Sequence, residues 1–142
     1  MAEQNKPLPK LPRRDAISWF EIPVLNMARA IAFYEAMLGI QLNEFQVPGG
    51  GPLMAMFPAE GGINGALVHM PGFYTPSHHG TLIYLNANPD VQIALDKVSA
   101  AGGKVMVPKT MITEEYGYMA VLEDTEGNRI ALHNVPEKFF KQ

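Results

Sequence analysis

The 142 residues carry 11 basic and 14 acidic side chains, a formal balance of −3, with 47% hydrophobic content, 13 glycines and 12 prolines. That apolar share is too high for a disordered chain, and the frequent Gly and Pro punctuation excludes a coiled coil. Mild acidity argues against a chain-wide nucleic-acid surface, and the lack of cysteine excludes disulfide scaffolds, thiolate zinc sites and cysteine nucleophiles.

The opening stretch MAEQNKPLPKLPRR is polar, with three prolines and four basic residues. Residues 1–15 are expected to form a flexible N-terminal tail, a weak anion-binding or partner arm being the alternative. The tail lacks an apolar signal core, and no run approaches the roughly 20 apolar residues that cross a bilayer. A cytoplasmic protein that engages neither membrane nor nucleic acid is the expectation.

From Ile17 the pattern becomes regular. Ile17 to Val24 alternates as a strand, with Trp19 and Glu21 on one face and Phe20 and Ile22 on the other. Asn26 is placed to cap a helix over Ala28 to Leu38, and Gly39 to end it. The helix sets Ile31, Tyr34 and Leu38 on one face, so Tyr34 reads as structural. Three extended pieces follow, Ile40 to Val47, Leu53 to Phe57 and Gly65 to Met70, with glycines between them. Thr81 to Ala87 alternates as another strand. Asn88 then caps a second helix, Val91 to Ala101, with Pro89 and Asp90 in its first turn and Gly102-Gly103 at its end. Lys104 to Val107, Tyr118 to Asp124 and Arg129 to His133 complete the strands, the last two joined by a turn at Glu126-Gly127-Asn128.

Each half is therefore strand, helix, three strands. Asn26 and Asn88 each stand five residues before an Ile-Ala-hydrophobe triplet, Ile31-Ala-Phe33 and Ile93-Ala-Leu95. A direct repeat of about 60 residues implies two βαβββ modules, residues 16–72 and 81–136. Residues 73–80 form the linker between them and 137–142 a C-terminal tail. Modules this small are expected to join sheets. The fold class is α+β, a curved, half-open mixed β-sheet barrel around a central trough that would receive a ligand.

Val24-x-Asn-Met-x-Arg-Ala-Ile-Ala-Phe-Tyr-Glu-x-x-Leu-Gly39 resembles the first-module signature of the vicinal oxygen chelate superfamily. That group includes glyoxalase I, extradiol dioxygenases, methylmalonyl-CoA epimerase, fosfomycin-resistance enzymes and bleomycin-binding proteins. Ala101-Gly-Gly103 and Glu123-Asp-Thr-Glu-Gly-Asn128 resemble its second-module marks. In catalytic members four side chains, from the first and last strands of the two modules, bind a divalent metal that acts as a Lewis acid. The resemblance puts Trp19, His69, Leu82 and Ala131 at those places, and tryptophan, leucine and alanine cannot coordinate such a cation.

The resemblance then implies a glyoxalase/bleomycin-resistance-like protein that binds a small organic molecule in the trough without a metal cofactor. The alternative is a lyase, isomerase or dioxygenase-like enzyme with a divalent metal (Zn, Ni, Fe or Mn) displaced to Glu21, His69 and His133. A non-catalytic interaction module is the third reading. Relatives of this size pair or complete their troughs across two chains, which implies a homodimer.

Glu21 shares a strand face with Trp19, Tyr84 with Leu82, and His133 with Ala131. With His69 these polar groups would lie one step along the strands from the usual metal position. They could form the displaced metal site, or a metal-free acid–base or recognition cluster with Glu21 and His133 as catalytic candidates. They could equally be Glu21 and His133 bonded to each other or to backbone. Trp19 suits either stacking on a planar ligand or core filling. Tyr116 and Tyr118 flank Gly117, where a hydroxyl could reach the trough rim. The candidate ligand-binding set is thus Trp19, Glu21, His69, Leu82, Tyr84, Tyr118, Ala131 and His133. His78 and His79 read as an exposed pair, and Val47 to Met56, with its PGGGP run, as a flap. A phosphate-binding loop and a nucleophile elbow are both missing from the pattern.

Overall fold

The computed structural model describes residues 15–139. In chain order the elements are β1 (Trp19–Pro23), α1 (Met27–Leu38), β2 (Asn43–Gln46), β3 (Leu53–Met56) and β4 (Asn64–His69). The second set is β5 (Tyr84–Asn86), α2 (Val91–Val98), β6 (Lys104–Thr113), β7 (Gly117–Glu123) and β8 (Arg129–Asn134), followed by a 3₁₀ turn at Glu137–Phe139. They make two four-stranded sheets, ordered β1-β4-β3-β2 and β5-β8-β7-β6. In each, the first strand runs parallel to the last and the other pairs are antiparallel. This is the expected α+β pair of βαβββ modules. The expected tail lies almost wholly in residues 1–14, outside the described residues, as do 140–142.

α1 forms as expected. The Asn26 side chain accepts the N–H of Arg29 at 3.0 Å, and Gly39 closes the helix at φ +65°, its N–H donating to Glu35. Met27, Ala30, Phe33, Tyr34 and Met37 make its buried face. The second helix departs from the sequence reading. Its cap is Asp90, which accepts the N–H of Gln92 at 2.9 Å, whereas the Asn88 side chain accepts from Val135 and is spent there. The helix also stops at Val98 rather than Ala101. β6 is longer than expected, running through Pro108 to Thr113. It is an edge strand whose register shifts three times, which is where a proline can be accommodated.

One hydrophobic core unites both modules. Ile22 and Leu67 of the first sheet, Val24 just after β1, and Leu122, Ile130 and Leu132 of the second sheet pack with the buried faces of the two helices. Phe20, Phe33, Tyr34 and Phe57 form a chain of aromatic contacts with centroids 5.1 to 5.8 Å apart. A Cβ on Gly103 would stand 2.6 Å from the Phe33 ring and 2.7 Å from the Glu123 carbonyl, so only glycine lets the second module approach α1 this closely.

The joint between modules is polar. The turn ahead of β8 inserts into the β1–α1 junction: Asn128 Nδ2 donates to the Pro23 carbonyl at 2.7 Å, and the Tyr34 hydroxyl donates to Asp124 at 2.6 Å. Glu126, whose side chain is fully buried, accepts from Arg29 and from the backbone of Leu25 and Asn26. Burial pushes its carboxyl upward, but Arg29, the backbone donors and Thr125 together bring it down to about 2.

The sheet faces turned away from the helices define the trough. Paired strands place directly opposed residues on one face. From β1–β4–β3–β2 these are Trp19, Glu21, Asn64, Ala66, Val68, Met54, Met56 and Phe45. From β5–β8–β7 they are Tyr84, Asn86, Arg129, Ala131, His133, Met119, Val121 and Glu123.

Candidate functional site

Glu21 and Trp19 share the trough face of β1, as their spacing predicts. The Trp19 indole N–H donates to Glu21 Oε2 at 3.2 Å, and the Tyr74 hydroxyl donates to Glu21 Oε1 at 2.7 Å. That second bond raises the Tyr74 hydroxyl above its ordinary value, with partial burial and the Glu21 charge adding to it. Tyr74 belongs to the linker, so the linker lies over this part of the trough rather than beside it. Trp19 itself is 40% exposed. The core-filling reading of its ring is therefore excluded.

His133 also faces the trough, and its Nε2 lies 2.7 Å from the Tyr116 carbonyl. A carbonyl only accepts, so Nε2 carries the proton of this bond. Glu21 and His133 therefore do not bond each other. They also line different recesses. A cavity of about 160 Å³ is bounded by Glu21 and Pro23, by Asn128 and Arg129, and by Thr75, Ser77, His79 and Thr81 of the linker region. A second, of about 200 Å³, lies between Tyr84, Asn86, Asn88, His133 and Val135.

Two candidates fall on the wrong face. His69 follows Leu67 and Gly65 in parity, so it turns toward the helix side, where its Nδ1–H donates to the Val24 carbonyl at 3.1 Å. It cannot join Glu21 and His133, and the displaced three-residue metal set is not assembled. Tyr118 likewise packs against the core side, with the Lys109 ammonium 4.5 Å above its ring. Leu82 is half-buried just ahead of β5, Tyr84 is exposed, and Ala131 is fully buried opposite Tyr84. Opposite Glu21 on β4 stands Ala66. Of the four strand positions that the resemblance assigns to a metal, Trp19, Leu82 and Ala131 hold no ligand atom and His69 turns to the helix side, so this donor set does not suit a divalent ion.

Other groups were not legible in the periodicity. His78 is no free surface residue: its Nε2–H donates to Glu123, and the pair is half-exposed. Arg129 follows Ala131 and His133 in parity and lines the first cavity; the same alternation that placed His133 could have found it. Tyr74 had no such signal. The PGGGP segment is a hairpin turn, with the Gln46 amide donating to the Gly51 carbonyl at 2.8 Å, rather than a free flap.

The sequence model of the Glyoxalase/Bleomycin resistance protein/Dioxygenase superfamily matches residues 16–132. The chain belongs to this superfamily. A Mycobacterium tuberculosis protein, CFP32, whose name marks it provisionally as a glyoxylase, is 28% identical over 123 residues, 84% of this chain and 46% of its own length. The chain thus spans about half the length of the curated relatives it matches. Among solved structures, the trypanothione-dependent glyoxalase I of Leishmania major aligns with a TM-score of 0.63 at 21% identity, covering 92% of this chain and 91% of that one. TnmS3, an antibiotic binding protein from Streptomyces sp. CB03234, aligns at 0.60 with 23% identity over 88% and 99%. At these identities the structural likeness establishes the fold alone.

Proposed function

We propose that the trough of this superfamily member binds a small organic molecule, using aromatic surface from Trp19 and Tyr84 and no resident metal. The observation that carries the reading is Trp19: a large ring, 40% exposed, yet fixed by its hydrogen bond to Glu21. A ring already held in place loses little freedom when a planar ligand stacks on it. The likeness to an antibiotic binding protein supports the same reading, as does the poor donor set for a metal.

Trp19 is the sole tryptophan, so its emission reports on the site directly. Purified protein titrated with a panel of planar aromatic antibiotics should show saturable quenching by at least one compound. Trp19→Ala should weaken that compound's affinity about tenfold, or roughly 1.4 kcal/mol, by calorimetry. Unchanged affinity in the variant, or no quenching across the panel, would reject the reading. A homodimer belongs to the same proposal, since the β2 and β6 edges expose Phe45, Met106, Met111 and Ile112; sedimentation equilibrium reads it.

A further inference from the structure

Arg129 opens β8 with its side chain on the trough face and bounds the cavity of about 160 Å³ under the linker. Its Nε is buried and has no hydrogen-bond partner. Glu123, which faces it directly across the β7–β8 ladder, is engaged by His78 instead. Among the described residues the ion pairs are Arg29–Glu126, His78–Glu123 and Lys109–Asp90, so the Arg129 guanidinium has no carboxylate of its own. A guanidinium drawn partly out of water without an acceptor is costly to keep. Beside Ile22, Ile83 and Ile130, the same cavity is lined by Thr75, Ser77, Thr81 and His79, residue types that can donate to an incoming acceptor. Glu21 is the one acid lining it, and both of its oxygens already accept, from Trp19 and Tyr74.

We propose that Arg129 anchors an oxyanion, the carboxylate or phosphate monoester of a small organic ligand. The planar guanidinium fork fits either group in two parallel hydrogen bonds. The cavity is well below the roughly 300–1,000 Å³ of a pocket for a whole drug-sized ligand, so it takes the charged head. Glu21, which lines this cavity, is hydrogen-bonded to Trp19, so the ligand body would extend toward the indole. This inference rests on the reading that the trough takes a small molecule and adds that the molecule is anionic at one end.

The test is thermal unfolding of the full chain titrated with methyl phosphate and, separately, with acetate, at constant ionic strength against chloride. A ligand bound by the native state raises the midpoint saturably. We expect such a rise with at least one of the two and its loss by at least nine-tenths in Arg129→Gln. A response to methyl phosphate alone assigns a phosphate, to acetate alone a carboxylate. No rise beyond chloride with either, or an equal rise in Arg129→Gln, would overturn the proposal. If Arg129→Gln does not fold, nitrogen-15 spectra of the unaltered protein decide. Methyl phosphate or acetate should then move the Arg129 Nε–H and the Ser77 and Thr81 amides, and shifts scattered over the surface would overturn it. Oxyanion stabilisation without quenching of Trp19 by any aromatic compound would uphold Arg129 and reject the stacking reading. The opposite pair of results would reject Arg129 alone.

Discussion

Glu126 accepts the Nε–H of Arg29 at 2.7 Å across the boundary between the two modules. The same carboxylate sits at the start of α1 and takes two backbone N–H groups there, where a helix terminus favours negative charge. One buried acid therefore completes the entry to a helix that belongs to the other half of the fold.

Acid should loosen this joint. The folded-state value of about 2 lies below the ordinary 4.5. The stabilisation is thus fully present above 4.5 and is lost as pH falls toward 2, an upper bound of about 3 kcal/mol. Urea midpoints between pH 7 and pH 2.5 should fall steeply in the unaltered chain. In Glu126→Gln they should start lower and fall less. Parallel curves would refute the assignment.

Tyr34 and Asp124 form a second bridge across the boundary. Burial, then the Asp124 charge and hydrogen bond, hold the Tyr34 hydroxyl well above its ordinary value, so it stays protonated and donates. Tyr34→Phe should cost about 1–3 kcal/mol. A double-mutant cycle with Asp124→Asn should show coupling of roughly 1–2 kcal/mol, whereas additive losses would mean the two act independently.

Gly103→Ala tests the close approach of α1 to the second module. With 2.6 Å to the Phe33 ring and 2.7 Å to a backbone carbonyl, the added methyl must displace one of them. A loss of about 1–3 kcal/mol in chemical denaturation is expected. A neutral result would show that the boundary relaxes freely.

Asp90, not Asn88, should carry the cap of α2. Asp90→Ala should cost about 1 kcal/mol. The Lys109 hydrogen bond, followed by that of Gln92, lowers the Asp90 carboxyl, so its contribution is present above the ordinary carboxylate range and fades as pH drops through the lowered value. Helicity and stability that respond to Asn88→Ala but not to Asp90→Ala would reverse the assignment.

The repeat was legible because it is written locally. Asn26, Gly39 and the apolar spacing of α1 act within a few residues, and the period-two pattern of β1 placed Trp19 and Glu21 correctly. Single residues of a short strand were less secure: a one-residue slip in β4 reverses the face of His69. Asn88 read as the cap and Asp90 as a first-turn residue; the Asn88 side chain is taken instead by Val135, which no local pattern reveals. Tyr74 as a partner of Glu21, Glu123 as the partner of His78 and Arg29 as a partner of Glu126 lie far along the chain, so alternation and capping rules could not supply them. The strand expected over Lys104 to Val107 runs on through Pro108 to Thr113, because periodicity does not distinguish an edge strand, which admits proline, from a central one.

The boundary is directional. The second module's turn supplies Asp124, Glu126 and Asn128, and the first module supplies Arg29 and Tyr34 to receive them. When Asn26 is aligned on Asn88, Val91 and Asp96 stand where Arg29 and Tyr34 do, and the stretch ahead of β4 offers Glu60 as its only carboxylate. The halves have the same architecture but are no longer interchangeable: a chain spliced from two copies of either one would have plugs without sockets, or sockets without plugs.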